Sequence, residues 1–183
     1  MAGEALGAIE VGSVGAGILA ADGMLKKSGV TLVLARPLCP GKYLAIVRGS
    51  VSEVEEGISV GAALAGDRLV DQLVLPNPHP GVLAGLLQVS PVTAVRALGI
   101  IETYSASSCL EAADLASKRA EIDVVEVRLS IMMAGKNYLT LTGDESAVRE
   151  AVENAAAAVR KKGLLLASVV IPHPHEELVQ SLL

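Results

Sequence analysis

The chain has 183 residues, enough for one domain or two. It is 51% hydrophobic but only 2% aromatic, with no Phe and no Trp, so any core must be built from Ala, Val, Leu and Ile. A net charge of −5 without a basic cluster argues against a nucleic-acid surface, and the longest apolar run, Leu164–Ile171, is far too short to span a bilayer.

Met1-Ala2-Gly3-Glu4 carries no basic region followed by an apolar stretch, so no secretory signal is read there. Two cysteines without an export signal fit a reducing cytosol. The mean hydropathy of +0.52 is high for a soluble monomer: either the chain is well buried as it stands, or it hides surface in an assembly.

The sequence repeats itself. Ala5-Leu6-Gly7-Ala8-Ile9-Glu10 recurs as Ala97-Leu98-Gly99-Ile100-Ile101-Glu102, and Ala20-Ala21-Asp22 as Ala112-Ala113-Asp114. Lys26 matches Lys118, Arg36 matches Arg128, and Gly41-Lys42 matches Gly135-Lys136. Pro76-Asn77-Pro78-His79 returns as Pro172-His173-Pro174-His175. Landmarks in one order, with small drifts in loop length, indicate a duplication, with its boundary near Ser90-Pro91.

In chain order, the first repeat opens with a strand at Ala5–Val11. Ser13 caps a helix over Val14–Ser28, which Gly29 can end. Two strands, Val30–Ala35 and Tyr43–Val47, flank the turn Pro37-Leu38-Cys39-Pro40-Gly41-Lys42. Ser52 and Glu55 form a capping box for a helix over Glu53–Ala65, with Val54, Ile58, Gly61, Ala62 and Ala65 on one stripe. Gln72–Leu75 is the last strand. The second repeat reads as strand 97–103, helix 106–120, strands 122–130 and 137–142, helix 146–162 and strand 164–171. The order is β-α-β-β-α-β twice: an α/β chain of α+β layers, each half an antiparallel sheet with helices on one face.

Several residues could carry chemistry. In the Cys39 turn, Pro40 has a fixed φ and Gly41 accepts positive φ, so the thiol is presented on a stiff backbone. On the residues alone, Cys39 is as readable as a bystander as it is a ligand that needs other chains. Cys109, within a helix beside Leu110 and Ala112, reads as a packed thiol. His173 and His175 have metal-like spacing, but Pro172 and Pro174 favour a structural C-terminal turn. Neither Gly-Lys pair has the glycine spacing of a phosphate loop. Asp22 and Asp114 repeat as parts of the scaffold rather than as a catalytic pair.

The series Ala-Leu-Gly-x-Ile-Glu, Ala-Ala-Asp-x-x-x-Lys, a short turn between two strands, Arg-Gly, and closing Pro-x-Pro-His resembles the shell proteins of bacterial microcompartments, over nearly the whole chain. The resemblance implies a structural tile of a cytoplasmic compartment's shell, not an enzyme, with microcompartment domains at 1–90 and 91–183. It implies a homotrimer of pseudohexameric shape that assembles with other shell proteins, without nucleic acid or membrane. Leu38, Cys39, Pro40, Gly41, Met133, Ala134 and Gly135 would line a central pore, and Lys26 and Lys118 would stand at the tile edge. Asn77 and His173 stand where simple hexameric members carry Arg between the closing prolines.

Cys39-Pro40-Gly41-Lys42 further resembles the iron–sulfur subtype of the propanediol-utilisation shell proteins. That resemblance implies an iron–sulfur cluster, [4Fe–4S] by its three available thiolates, bound by Cys39 of three chains. Its role would be electron transfer or cluster delivery across the shell, with a redox enzyme of the lumen as partner. Lys42 and Lys136 are then candidates to offset the cluster's charge. The second turn, Ile131-Met132-Met133-Ala134-Gly135-Lys136, has no cysteine, which reduces six-fold to three-fold equivalence. Two other readings stand beside this one: a tile with a metabolite pore and no cluster, and a ferredoxin-like small-molecule sensor or enzyme.

Overall fold

The computed structural model describes residues 4–130 and 133–182. The chain forms two compact units, the described residues of Met1–Pro78 with Ser130–Gly135, and His79–Leu129 with Lys136–Leu183. Residues 79–90, counted with the first repeat above, therefore pack within the second unit.

The first unit contains β1 (Glu4–Val11), α1 (Val14–Lys27), β2 (Thr31–Leu38), β3 (Lys42–Ser50), α2 (Val51–Ala65) and β4 (Leu69–Pro76). Its sheet runs β2-β3-β1-β4 with every pairing antiparallel. The second unit contains α3 (Pro80–Leu86), β5 (Ala97–Thr103), α4 (Ala106–Arg119), β6 (Ile122–Leu129), β7 (Asn137–Gly143), α5 (Glu145–Lys161), β8 (Leu165–Ile171) and α6 (Glu176–Gln180). Its sheet repeats the order as β6-β7-β5-β8. The duplication reaches the irregularities: β2 slips register between Leu32 and Leu34, and β6 between Val124 and Glu126.

The first sheet is built around a strand buried on both faces, while in β5 of the second Ile100 and Glu102 are half-buried. In β1 every residue after Glu4 is buried. Without large aromatics, the helices must come close, and glycines at the contacts permit it. A Cβ on Gly7 would lie 2.7 Å from Val54, and one on Gly99 2.7 Å from Val152. Ile9, Met24 and Val54 are at most 1% exposed, each contributing about 2 kcal/mol of burial.

Ser13 caps α1 as expected, but two other helix ends of the first repeat differ from the sequence reading. The capping box is Ser50 with Glu53, not Ser52 with Glu55: the Ser50 N–H donates to Glu53 Oε2 at 2.8 Å. The physical reason is that β3 stays paired as far as Ser50, opposite Glu4, so the helix begins directly at Val51. α1 ends at Ser28, whose Oγ and N–H both donate to the Met24 carbonyl, at 2.8 and 3.1 Å. Gly29 does not end that helix. It is a glycine because a Cβ there would lie 2.4 Å from Glu53 Oε1. The short helices α3 and α6 were not foreseen. His79 and His175 cap them, each Nδ1 accepting from the backbone N–H two residues on, at 3.2 and 3.3 Å.

Gly17 and Cys109 occupy equivalent positions. A Cβ on Gly17 would fall 2.3 Å from the Cβ of Tyr43, whereas the position matching Tyr43 in the second repeat is Asn137. Cys109 is fully buried there, and burial drives its thiol pKa far up against the opposing hydrogen bond from Thr103.

Two predictions follow from this packing. Gly17→Ala should cost about 1–2 kcal/mol in denaturant unfolding, because the clash involves an atom fixed to the β3 backbone and outweighs the helix gain. The second concerns Glu126, which accepts hydrogen bonds from Arg128, Gln88 and Tyr138. Burial raises its pKa, but those donors together hold it below the ordinary range of a glutamate. A lowered carboxylate contributes stability above its unfolded pKa and loses it as pH falls through the folded value. Glu126→Gln should therefore destabilise by about 1 kcal/mol at pH 7 and reduce the loss of stability between neutral pH and pH below about 4.5.

Candidate functional site: the Cys39 turn

β2 and β3 pair as far as Leu38 opposite Lys42, leaving Cys39, Pro40 and Gly41 to make the turn. Gly41 takes φ +77, a value that L side chains rarely adopt, so the turn requires glycine there. The Cys39–Pro40 peptide is cis. Cys39 is a free, exposed cysteine, while Leu38 just before it is buried, 4% exposed.

The backbone of Cys39 is held on both sides by Ser130. The Cys39 N–H donates to the Ser130 carbonyl at 3.1 Å, and Ser130 Oγ donates back to the Cys39 carbonyl at 3.0 Å. Ser130 is buried and left-handed, with φ +46, and so is Ala134, with φ +50. Gly135 is buried against the turn: a Cβ on it would lie 3.2 Å from Pro40 Cδ and 3.4 Å from the Cys39 carbonyl oxygen. The described residues of the stretch 130–135 belong to the second repeat by sequence but to the first unit by packing. Sequence reasoning missed Ser130, because a serine at a strand end gives no sign that its partner lies 91 residues away.

Of the residues expected to line a pore, Cys39, Pro40, Gly41 and Ala134 are exposed, Met133 is half-buried, and Leu38 and Gly135 are buried. Ile131 and Met132 lie outside the described residues. Lys42 does not stand free to balance charge at the turn. Its Nζ is 2.7 Å from Oε1 of Glu10, a carboxylate 1% exposed. Lys136 is exposed. Nor is the Cys39 N–H available to a bound group, since Ser130 takes it.

Lys26 and Lys118 sit in the last turns of α1 and α4 and pair with Asp22 at 2.7 Å and Asp114 at 2.6 Å. Of His173 and His175, which share a metal-like spacing, His175 is the α6 cap. Among the described residues, no group of three or more His, Cys, Asp or Glu side chains could hold a metal ion. One chain thus offers a single thiol at the turn, and a cluster needing three or four thiolates must draw on further copies. With that condition the donor set fits: the thiol is exposed, soft, and fixed at its backbone. Among the described residues, no helix is long and apolar enough to cross a membrane.

A BMC-domain family model matches residues 5–78 and 97–174, one match per repeat. The microcompartment shell protein PduT of Citrobacter freundii is 41% identical over 175 residues, covering 96% of this chain and 95% of that protein. The carboxysome assembly protein CcmO of Synechococcus elongatus is 31% identical over 193 residues, covering 97% of this chain and 68% of that protein. A crystal structure of a microcompartment protein from Desulfitobacterium hafniense is 41% identical and superposes with a TM-score of 0.90, covering 98% of this chain and 99% of that one. The fused permuted hexameric shell protein of the RMM microcompartment shares the fold at 21% identity and a TM-score of 0.65. By these matches the chain belongs to the BMC-domain family of bacterial microcompartment shell proteins, as a member with two such domains in tandem.

Proposed function

We propose that the chain is a homotrimeric tile of a microcompartment shell in which three Cys39 thiolates, one per chain, hold an iron–sulfur cluster at the three-fold axis. The observation that carries this reading is the Cys39 turn itself. The thiol is exposed, while the backbone on either side of it is tied to Ser130. A ligand fixed in this way loses little conformational freedom when it binds. The trimer follows from the duplication, since two domains per chain need three chains to complete a ring of six. Other shell proteins meet the tile along its rim, where Lys26 and Lys118 take part.

Bound at this position, a cluster would supply one-electron transfer, or would itself be delivered, across the shell, with a redox enzyme of the lumen as partner. The chain's own residues perform the holding. Cys39 supplies the soft ligand, Ser130 and Gly135 fix the turn, and the Glu10–Lys42 pair places a neutral base beneath it. Cys109 takes no part, because it is fully buried and its thiolate is disfavoured. No catalytic role is assigned to any residue.

Anaerobic reconstitution separates this reading from a tile whose pore only passes metabolites. Wild type and Cys39→Ser, both trimeric by light scattering, are compared with Cys109→Ser for iron, sulfide and a reducible paramagnetic signal. Iron and signal are expected in wild type and Cys109→Ser only. A full complement of iron in Cys39→Ser would leave the metabolite pore as the function.

The Ser130 clamp gives a separate expectation. Ser130→Ala loses the donor to the Cys39 carbonyl and should cost about 1 kcal/mol of stability. The same variant, without cluster, should show several-fold faster alkylation of Cys39 by iodoacetamide. An unchanged alkylation rate would mean that the clamp does not restrain the turn.

A further inference from the structure

Each sheet ends on one side in a strand that pairs with a single neighbour, β4 with β1 and β8 with β5. An edge strand offers its outward backbone groups to any chain that can lie beside it, and folded proteins blunt such edges with charge, proline or bulges. The two repeats treat this edge differently.

In β4 the edge is blunted. The Asn77 N–H donates to the Glu4 carbonyl at 2.8 Å, so Leu75 and Leu73, at alternate positions along the strand, also turn their backbone groups toward β1. Those of Val74 and Gln72 turn outward. Asp71 stands within the strand, and its Oδ1 accepts from the Gln72 N–H at 2.8 Å. One outward donor is thereby occupied, and a carboxylate lies on the edge.

The register of β8 is the same. Leu98 faces Ile171 and Ile100 faces Val169, as Leu6 faces Leu75 and Ala8 faces Leu73. The outward backbone groups of β8 are therefore those of Ser168 and Val170. Ala167 stands where β4 has Asp71. Leu165–Ile171 contains no charge, no proline and no glycine. Among the described residues, nothing pairs with the N–H of Ser168 or Val170. This edge is open.

A groove of about 430 Å3 runs beside it, between α5 and β8. Val152 and Ala156, 5% and 1% exposed, form its apolar floor. Arg149 and Arg160 are the first and last of its α5 residues, with Glu153 between them. Glu145 holds Arg149 at 2.7 Å, whereas no carboxylate pairs with the exposed Arg160 among the described residues. In the first repeat, Glu55 takes the place of Arg149.

We propose that the β8 edge is a docking site for an extended acidic segment of a partner protein, which adds to the second sheet as a further strand. The backbones of Ser168 and Val170 exchange hydrogen bonds with the segment. Its alternate apolar side chains lie over Val152 and Ala156, and a carboxylate meets Arg160. Charge selects the occupant. A second copy of β8 laid along this edge would bring its own Arg149 and Arg160 to the same groove, where like charges repel. An acidic segment instead meets a guanidinium without an ion-pair partner. The site belongs to the second unit, whereas Cys39 belongs to the first, so it does not depend on what the Cys39 turn binds.

The test uses the full chain, titrated with a fluorescein-labelled peptide of alternating Thr and Val with Glu at both ends. Either strand direction then places a carboxylate near Arg160. Binding is expected, with slowed hydrogen exchange at the N–H groups of Ser168 and Val170. Val170→Pro removes one outward donor at an edge position of the kind that tolerates proline, and Ala167→Asp installs the block that the first repeat carries. Both should keep the wild-type circular dichroism and weaken peptide binding by about tenfold or more. Arg160→Glu should lose this peptide and prefer an analogue with Lys at both ends. Equal binding by wild type, Val170→Pro and Ala167→Asp would overturn the strand addition, as would a wild type that leaves the peptide unbound at millimolar concentration. Self-association of the wild type that Val170→Pro abolishes would place a second copy on the edge and overturn the proposal as well.

Discussion

The closeness of helix to sheet is the constraint on which both units depend. A core with no Phe or Trp cannot bridge wide gaps, so α2 and α5 must approach the central strand to within contact of its backbone. Gly7 and Gly99 make that possible, since a Cβ at either position would stand 2.7 Å from a valine of the facing helix. Gly61 does the same toward α1, where a Cβ would meet the Met24 sulfur at 2.7 Å. The layers are therefore thin, and the sheet edges and helix flanks carry much of the surface. That accounts for the high mean hydropathy more directly than a large core would: residues such as Ile18, Leu32 and Leu178 are apolar and exposed in the single chain.

Duplication supplies an internal control on these surfaces. Two copies of one domain share strand order, the register slips in β2 and β6, and the histidine cap after the closing prolines. What differs between them has a cause other than the fold. Asp114 and Asp22 occupy one position with one lysine partner, yet one is buried beneath α3 and the other is open. The difference is the presence of a cover, not a change in the helix.

Much of this was legible in the sequence because it rests on local and repeating signals. The strand and helix order, the antiparallel sheets and the exposed Cys39 turn all follow from apolar periodicity, Pro-Gly chemistry and the repeated landmarks. The errors lie where a tertiary pairing overrode a local motif. Ser52-Val-Glu-Glu55 is a fair capping box, but the β3 ladder continues to Ser50, and the helix starts from there. Gly29 looked like a helix stop, but its lack of a side chain serves the Glu53 carboxylate. Ser130 was illegible for a different reason. Its hydrogen bonds to Cys39 join the end of one repeat's strand to the turn of the other, and neither composition nor spacing encodes such a pairing.

Fusing two domains into one chain also lets the two turns diverge. In the first repeat, Lys42 pairs with a buried Glu10, and Cys39 is exposed in the turn that Lys42 follows. In the second, the residues matching this turn lie partly against the first: Gly135 packs on Pro40, and Ser130 takes both backbone groups of Cys39. A single-domain protein repeated six times would have to make every turn both presenter and support. With the roles divided, one turn can expose a reactive side chain while the other restrains it. The Glu10–Lys42 pair adds no net charge of its own, whereas Lys136 of the second turn is exposed.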